Sequence, residues 1–491
     1  MYRFLTFIFL IIISKFVFAS FDINNNIKKI HREISYLNLS QAELVLEYEK
    51  EQNPDNLFIP YYENNIDFLK YIVSGDNVLL ENFINDFNKR IDAFKIKNKN
   101  EPFLLALQAE MYFQLLIAYL IKNDFLHASF ALYKSYSLWN ENYKKYPDFK
   151  FNNKLAGIFQ LLISSVPQEY TWLFKISGIK GNIPKAIDFL EKYSLYEKNV
   201  FEDNIYSTIL LLIVYSNFEN NLDKTKIYIN NLGNLSNKSM LIKLVIAKHY
   251  MATEQNDKAI QLLEDKKYID DISHFPYVYY ILGKAKLNRL DDNAEYYLNK
   301  FLKDYKGFYC KKSTCLNLSW YYILKNDSVE ANKYKKLIIN YENSLSNLDK
   351  QAAIEIQNIN NINIELLKVR LLFDGGYYQK ALKILNNDVD KTKLTIKDRL
   401  EYIYRAARIF HKLKDFPNAK KYYIDVIKFG NKLMYYFAPN ASLQLGLIYE
   451  QEKNYEKAEK YFKYCLKINK GEYKNSIEQK AKAGLKRLKE Q

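Results

Sequence analysis

The fold is decided by a stretch near the end of the chain, LGLIYEQEKNYEKAEKYFKYC at 445–465. Gly446 and Tyr449 lie one turn apart on a predicted first helix, where the small residue lets a neighbouring helix approach closely. A polar turn follows, and Ala458 and Phe462 then continue a buried stripe at the four-residue spacing of a second helix. The stretch therefore predicts two antiparallel helices that cross at small residues.

Similar units occur upstream of this hairpin. Most contain a small residue, an aromatic or apolar residue three positions later, an alanine after a turn, and a large apolar residue four positions beyond. The five further units are Ala407, Phe410, Phe416, Ala419, Tyr423 and Val426; Val369, Leu372, Tyr378, Ala381 and Leu385; Ser319, Tyr322 and Ala331; Gly283, Ala294, Leu298 and Phe301; and Ala247, Tyr250, Ala259 and Leu263.

The spacing of the units is nearly regular. The second-helix alanines stand at positions 259, 294, 331, 381, 419 and 458, so that successive separations are 35, 37, 50, 38 and 39 residues. The 50-residue interval predicts that the helix-like segment 340–358 is either an elongated connection or an extension of the second helix. After the last unit, the segment 480–488 alternates lysines with small and apolar residues and predicts a helix that caps the array.

These residues resemble the tetratricopeptide repeat superfamily, whose period is about 34 residues. Gly446, Tyr449, Ala458 and Phe462 match its pattern most fully, although its tryptophan and closing proline are absent from nearly every unit. The resemblance covers about 239–491 and implies an all-α fold of paired antiparallel helices. These pairs would stack into a right-handed superhelix in which each unit contacts only its neighbours.

The N-terminal half is predicted to be helical but less regular. It contains one good unit, formed by Leu116, Tyr119, Phe125, Ala128 and Leu132. An apolar helix over 156–167 ends at a proline, and Pro184 suits the first turn of the next helix, which buries Ala186 and Phe189. This arrangement is similar to one in the tetratricopeptide repeat protein 39 family, also called inclusion-body clearance proteins. Over its full length the chain more closely resembles exported bacterial tetratricopeptide proteins of unknown role.

The amino terminus predicts export. Arg3 precedes an apolar run over 4–13, and Val17-Phe18-Ala19 provides acceptable residues for cleavage before Ser20. No cysteine follows to carry a lipid, and a retained signal that anchors the chain is the alternative. We therefore divide the chain into a signal peptide at 1–19, an irregular α-helical repeat region at 20–238 and the array at 239–491, and expect a periplasmic or secreted protein.

Composition and charge narrow the function. The 48% of hydrophobic residues can bury a large core, and only 13 glycines and 9 prolines favour helices joined by short loops. The net charge is +16, but the lysines are scattered among Asp and Glu rather than gathered in one block. The chain also has few arginines, whose guanidinium groups commonly bind phosphates through two hydrogen bonds. We therefore expect no nucleic-acid partner.

Motifs for catalysis, cofactors and metals are missing from the sequence. The five histidines, His31, His127, His249, His274 and His411, are spread singly, without a metal-binding pair. No nucleophile elbow, phosphate loop or dinucleotide turn is found. We expect no enzyme activity, no cofactor and no metal.

The three cysteines have different surroundings in the sequence. Cys310 and Cys315 lie five residues apart between two predicted helices and suggest a local disulfide in an exported chain. If they are not bridged, they are packing residues. Cys465 lies on an apolar helix face and is predicted to be a buried free thiol.

Three classes of function remain: a scaffold that binds a protein or peptide partner, a helical-repeat carbohydrate or nutrient receptor, and an enzyme with an unrecognised site in the N-terminal half. The scaffold leads, because a receptor would ordinarily carry a lipid-anchored cysteine and tryptophan-rich loops. First helices of tetratricopeptide hairpins line the concave groove, which implies a partner-binding face. Its residues are Tyr404, Arg408, His411, Leu443 and Leu447. An ordinary solvated face is the alternative.

We predict that the mature protein begins at Ser20, because a small residue, Ala19, closes the apolar run at a position that signal peptidase accepts. Mass spectrometry of the N-terminus of the exported protein measures this directly. Recovery of a membrane-bound protein with an intact Met1 would contradict the prediction.

Overall fold

The structure is a computed structural model that describes residues 21–95, 101–165, 181–219, 221–264, 275–341, 346–469 and 473–489. The predicted signal peptide at 1–19 and His274 lie outside the described residues. Within these ranges the chain is all-α and contains no β-strand, which confirms the predicted fold class.

The described residues form 24 α-helices, numbered here in chain order. In the N-terminal half these are α1 Asn25–Ser35, α2 Leu39–Gln52, α3 Phe58–Ser74, α4 Asn77–Asp92, α5 Pro102–Ile121, α6 Phe125–Lys145, α7 Asn153–Ser165, α8 Ile183–Phe201, α9 Ile205–Val214 and α10 Leu222–Gly233. In the C-terminal half these are α11 Met240–Ala252, α12 Asn256–Leu263, α13 Tyr277–Arg289, α14 Ala294–Asp304, α15 Lys311–Leu324, α16 Ser328–Asn340, α17 Asn347–Glu355, α18 Ile364–Asp374, α19 Tyr378–Asn387, α20 Ile396–Lys412, α21 Phe416–Gly430, α22 Phe437–Gln451, α23 Tyr455–Ile468 and α24 Lys474–Lys489.

The six predicted C-terminal units are helical hairpins: α11/α12, α13/α14, α15/α16, α18/α19, α20/α21 and α22/α23. Their first and second helices cross at the small residues that the sequence singled out. A Cβ added to Gly446 would lie 2.5 Å from Phe462 Cδ1, and one added to Gly283 would lie 2.7 Å from Leu298 Cγ. The two helices of each pair therefore approach as closely as these glycines allow.

The N-terminal half also consists of hairpins, α1/α2, α3/α4, α5/α6, α7/α8 and α9/α10. Its α7/α8 crossing repeats the glycine contact of the C-terminal units, because a Cβ on Gly157 would lie 2.7 Å from Leu190 Cγ. Pro184 lies in the first turn of α8, as predicted, with Asn182 as the N-cap. Ala186 is buried as expected, but Phe189 is only half-buried. The sequence pattern did not identify Leu190, which fills the crossing.

Packing continues across the predicted boundary at 238. Leu212 and Leu232 belong to the same buried apolar cluster as Ile242 and Ile246, which follow the boundary in α11. The helix α5 is long and apolar enough to span a membrane by length and composition, and 56% of its apolar window is buried within the protein. It therefore has the burial of a core helix.

The predicted connection over 340–358 contains α17, which is followed by a 3₁₀ helix at Ile356–Asn361. Asp349 of α17 accepts hydrogen bonds from the backbone N–H groups of Cys310 and Ser313, both at 2.8 Å. These groups belong to the start of α15, whose first amides have no partner inside the helix. The inserted helix thus caps a helix of the preceding hairpin.

The expectation that each unit contacts only its neighbours is wrong for the turn between α11 and α12. Glu254 in this turn forms an ion pair with Lys412 at the end of α20. The turn between α18 and α19 also contacts Glu254. Gly376 in that turn has a φ of +83°, and a Cβ added to it would lie 2.6 Å from the Glu254 carbonyl oxygen. The array therefore folds back on itself after the α17 insertion.

The predicted Cys310 to Cys315 disulfide is not formed, because both thiols are free and buried. Cys310 is the N-cap of α15 and Cys315 lies within the same helix. Five helical residues rise about 7.5 Å, which exceeds the Cα separation of about 6.8 Å that a disulfide spans. The alternative of packing residues is therefore the correct one. Cys465 is a buried free thiol, as predicted.

We predict that Ala458→Leu destabilises the fold by about 1–3 kcal/mol, because the added side chain would overpack a helix crossing where Ala458 is fully buried. Chemical denaturation followed by circular dichroism measures the change. Ala483→Leu on α24, where the alanine is exposed, is the matched control and should unfold like the parent. Equal stability of both variants would contradict the crossing.

Candidate functional site

The five residues predicted to bind a partner lie on α20 and α22, but two of them are not exposed. Tyr404 is 2% exposed and Leu443 is 1% exposed. The ring of Tyr404 packs against Phe437 at a centroid distance of 5.2 Å, because adjacent first helices lie side by side. The expectation of an exposed Tyr404 and Leu443 is therefore wrong.

The other three predicted residues are only half-buried, and two of them have partners within the protein. Arg408 Nη1 donates to the Tyr404 hydroxyl at 2.9 Å, and its guanidinium lies 5.0 Å from the centre of the Phe373 ring. His411 Nδ1 lies 3.2 Å from the Tyr423 hydroxyl. A partner-binding role for Arg408, His411 and Leu447 stays a prediction.

The inner side of the C-terminal array is largely filled by its own side chains. Arg370 makes two hydrogen bonds to Glu355, at 2.8 and 2.9 Å, and lies 4.6 Å from the centre of the Trp320 ring. Tyr473, which immediately precedes the capping helix α24, closes the space by donating to Glu355 Oε1 at 2.6 Å. The cavity that remains there is about 80 Å³, well below the roughly 300–1,000 Å³ of ligand sites.

A larger cavity, of about 340 Å³, lies in the N-terminal half. We call it the inner cavity. The first helices of six consecutive hairpins, α1, α3, α5, α7, α9 and α11, all contribute to its lining. Most of these residues are aliphatic or aromatic, and Phe275 closes one side. The first helices line the inner side of the stacked hairpins, and in the N-terminal half this inner side contains a cavity.

Three polar side chains converge at one side of the inner cavity. Glu110 Oε2 accepts hydrogen bonds from the Lys154 ammonium at 2.8 Å and from the Tyr61 hydroxyl at 2.6 Å. The Lys154 ammonium also lies 4.5 Å from the centre of the Tyr206 ring. The second carboxylate oxygen, Oε1, is buried and has no hydrogen-bond partner among the described residues.

Burial and charge fix the protonation of two of these groups. Burial alone lowers the pKa of Lys154, but the nearby Glu110 and the surrounding tyrosines outweigh it and hold that pKa well above its usual value. The pKa of Tyr61 is raised, first by burial and then by the Glu110 carboxylate. Lys154 therefore remains an ammonium and Tyr61 a neutral hydroxyl donor at ordinary pH.

The structure also brings together His31, Glu197 and Asp203, whose ligand atoms lie within 4.8 Å of one another. Glu197 is fully buried and uses both oxygens, contacting His31 Nε2 at 2.9 Å and accepting from the Ser207 backbone N–H at 3.0 Å. Burial raises the pKa of Asp203. These bonds tie α1 to α8 and α9, which gives the cluster a structural role.

The outer surface carries an exposed apolar row on α6, which we call the α6 stripe. It consists of Leu126, Phe130 and Tyr133, which are 79%, 55% and 52% exposed. Their spacing of four and three residues places them on one face of the helix. Other exposed apolar side chains occur on second helices, including Val329 and Ile339 on α16.

Sequence reasoning did not identify Glu110, Lys154 or the α6 stripe. A signal for Glu110 was present, because it is the one charged residue in the apolar helix Pro102–Ile121. A charge in such a helix is stabilised only by a buried partner. Lys154 could not be assigned as that partner, because 44 residues separate the two.

The fold and these surfaces define an all-α protein built from stacked helical hairpins, with one half hollow and the other filled. The chain matches no protein-family model and no curated protein sequence. Among solved structures it is similar to the APC/C hetero-tetramer Cut9–Hcn1, at 12% identity and a TM-score of 0.29, covering 94% of this chain and 95% of that chain. It is also similar to Naa15/Naa10 bound to HypK-THB, at 14% identity and a TM-score of 0.29, covering 91% of this chain and 73% of that chain. The all-α hairpin fold is assigned from the contacts between paired helices. It does not depend on the similarity to these two solved structures.

We predict that His411 makes the fold sensitive to acid. Burial, and then the positive charges of Arg408 and Lys412, lower its pKa to about 4, against about 6.5 in an unfolded chain. Between these pH values the unfolded state binds a proton that the folded state does not, so stability falls as the pH falls. His411→Gln should therefore lose less stability than the parent between pH 7 and pH 4.5 in urea denaturation. Equal losses would contradict the prediction.

Proposed function

We propose that the protein is an exported, non-catalytic scaffold of the tetratricopeptide superfamily that binds a protein partner. The α6 stripe is the observation that carries this proposal. Three large apolar side chains that water contacts on one helix face are typical of a protein interface, whereas exposed apolar residues that occur singly are ordinary.

The surroundings of the α6 stripe indicate the chemistry of the partner. The Lys134 ammonium lies 5.6 Å from the centre of the Phe130 ring. An amphipathic helix could place its apolar residues on the stripe and its acidic residues near this lysine. Apolar burial would then supply most of the binding free energy, and the charges would favour one orientation.

Export is supported by the basic start, the apolar run and the cleavage residues at 1–19. The non-catalytic assignment is supported by the chemistry of the buried polar groups. Lys154 and Tyr61 both donate a hydrogen bond to Glu110, and both oxygens of Glu197 are engaged. Groups held in this way are suited to maintaining the fold and its cavity.

A second surface for the same partner is the inner side of α20 and α22. Arg408, His411 and Leu447 are half-buried there, and a peptide that contacted them would replace some of their internal contacts. The α6 stripe needs no such rearrangement, because its side chains are already exposed. We therefore place the main contact on the stripe.

The test is capture of envelope proteins on the immobilised mature chain, compared between two variants. Leu126→Asp with Phe130→Asp should lose the bound partner, because two charges interrupt the apolar contact, and should keep the melting temperature of the parent. The matched control is Val329→Asp with Ile339→Asp, at side chains 77% and 80% exposed on α16. Equal capture by both variants would refute the role of the stripe.

A further inference from the structure

The inner cavity is larger than packing defects in ordinary protein interiors. Interiors pack as densely as organic crystals and contain few voids bigger than a water molecule. The inner cavity measures about 340 Å³ and falls within the roughly 300–1,000 Å³ of small-molecule sites. Its size therefore admits a small molecule.

The walls of the inner cavity indicate an apolar ligand body. Apolar side chains face it from four different helices: Phe68 and Ile72 on α3, Phe113 on α5, Leu155 and Ile158 on α7, and Ile209 on α9. Water in such a space finds few hydrogen-bond partners, whereas an apolar molecule gains by leaving water. A carbohydrate would bring more hydroxyl groups than the few polar side chains of these mainly apolar walls can satisfy.

One polar group on the ligand is specified by Glu110. This side chain lines the inner cavity and is 4% exposed. Lys154 and Tyr61 both donate to its Oε2, while its buried Oε1 accepts no hydrogen bond from the described residues. A buried acceptor without a donor costs free energy. A ligand hydroxyl or N–H group would satisfy it once the Glu110 side chain turns Oε1, which has almost no exposed surface, toward the inner cavity.

We propose that the inner cavity binds a small, mainly apolar molecule that donates one hydrogen bond to Glu110. The charge of Lys154 is balanced by Glu110, so the polar end carries no net charge. An anionic head group such as a carboxylate would add an unpaired negative charge in apolar surroundings, which is costly. Neutral alcohols, amides and aromatic amines fit, and fatty-acid anions do not.

The inner cavity reaches the surface of the protein near α3. Ile72 lines it and is also 37% exposed, so this side chain lies where the cavity meets the surface. The inner cavity is therefore nearest to the solvent at Ile72. The inner cavity and the α6 stripe use different residues, so this proposal stands apart from the proposed partner.

The probe for the test is N-phenyl-1-naphthylamine, an apolar fluorophore with one N–H donor, titrated into the mature full-length chain. Its fluorescence should rise and saturate at one probe per chain. Octan-1-ol should displace it, whereas octanoate of the same chain length should displace it at least tenfold more weakly. No saturable binding, or equal displacement by octanoate, would overturn the proposal.

Two variants locate the bound probe. Ile158→Trp should fill part of the inner cavity and weaken probe binding at least tenfold. Val329→Trp, on α16 where the valine is 77% exposed, is the matched control and should bind like the parent. Circular dichroism checks that both are folded. A folded Ile158→Trp variant with unchanged affinity would place the probe elsewhere and refute the cavity as its site.

The hydrogen bond to Glu110 is tested without leaving a buried charge unpaired. The double variant Glu110→Gln with Lys154→Met removes both charges together. It should lose the preference for octan-1-ol over octane as a displacing agent, because the strong carboxylate acceptor is gone. A preference that stays the same in this folded variant would refute the assignment to Glu110.

Discussion

The close crossing of paired helices is the contact on which the rest of the structure depends. At Gly157, Gly283 and Gly446 there is no room for a Cβ, because a leucine or phenylalanine of the second helix occupies that space. A single hairpin cannot bury its own apolar face, so the hairpins stack on one another. Stacking places all first helices on one side of the molecule. The inner side of the molecule is therefore built from first helices, both where side chains fill it and where it contains a cavity.

The two halves use the inner side differently, and the side chains explain the difference. In the C-terminal half, the long side chain of Arg370 lies along Trp320 to reach Glu355, and Tyr473, just before the capping helix, covers the same carboxylate. In the N-terminal half, the side chains of Phe68, Phe113 and Ile158 line a space of about 340 Å³. One fold therefore yields a nearly solid groove in one half and a cavity in the other.

The sequence predicts the hairpins well because a helix crossing demands small residues at a fixed spacing, as at Gly446 and Ala458. It predicts the α7/α8 hairpin poorly because the long segment 166–182 separates Gly157 from Leu190 and hides the period. The sequence predicts an exposed Tyr404, but this residue is buried. The rotation between successive hairpins decides whether a first-helix residue faces the groove or packs against the next helix. That rotation depends on packing across units. The inner cavity was unpredictable for the same reason, because its lining comes from six separate helices.

The Lys154 to Glu110 pair is the part of the inner cavity that stability alone explains least. A buried ion pair gains little over well-packed apolar residues of the same volume, because both charges must leave water. Two apolar side chains at these positions would pack into the space and shrink it. The charged pair instead holds α5 and α7 at a hydrogen-bonding separation of 2.8 Å and, with Tyr61, links three first helices at one side of the cavity. Because these bonds fix the distances between the helices, the pair keeps the space open at the side where the acceptor is located.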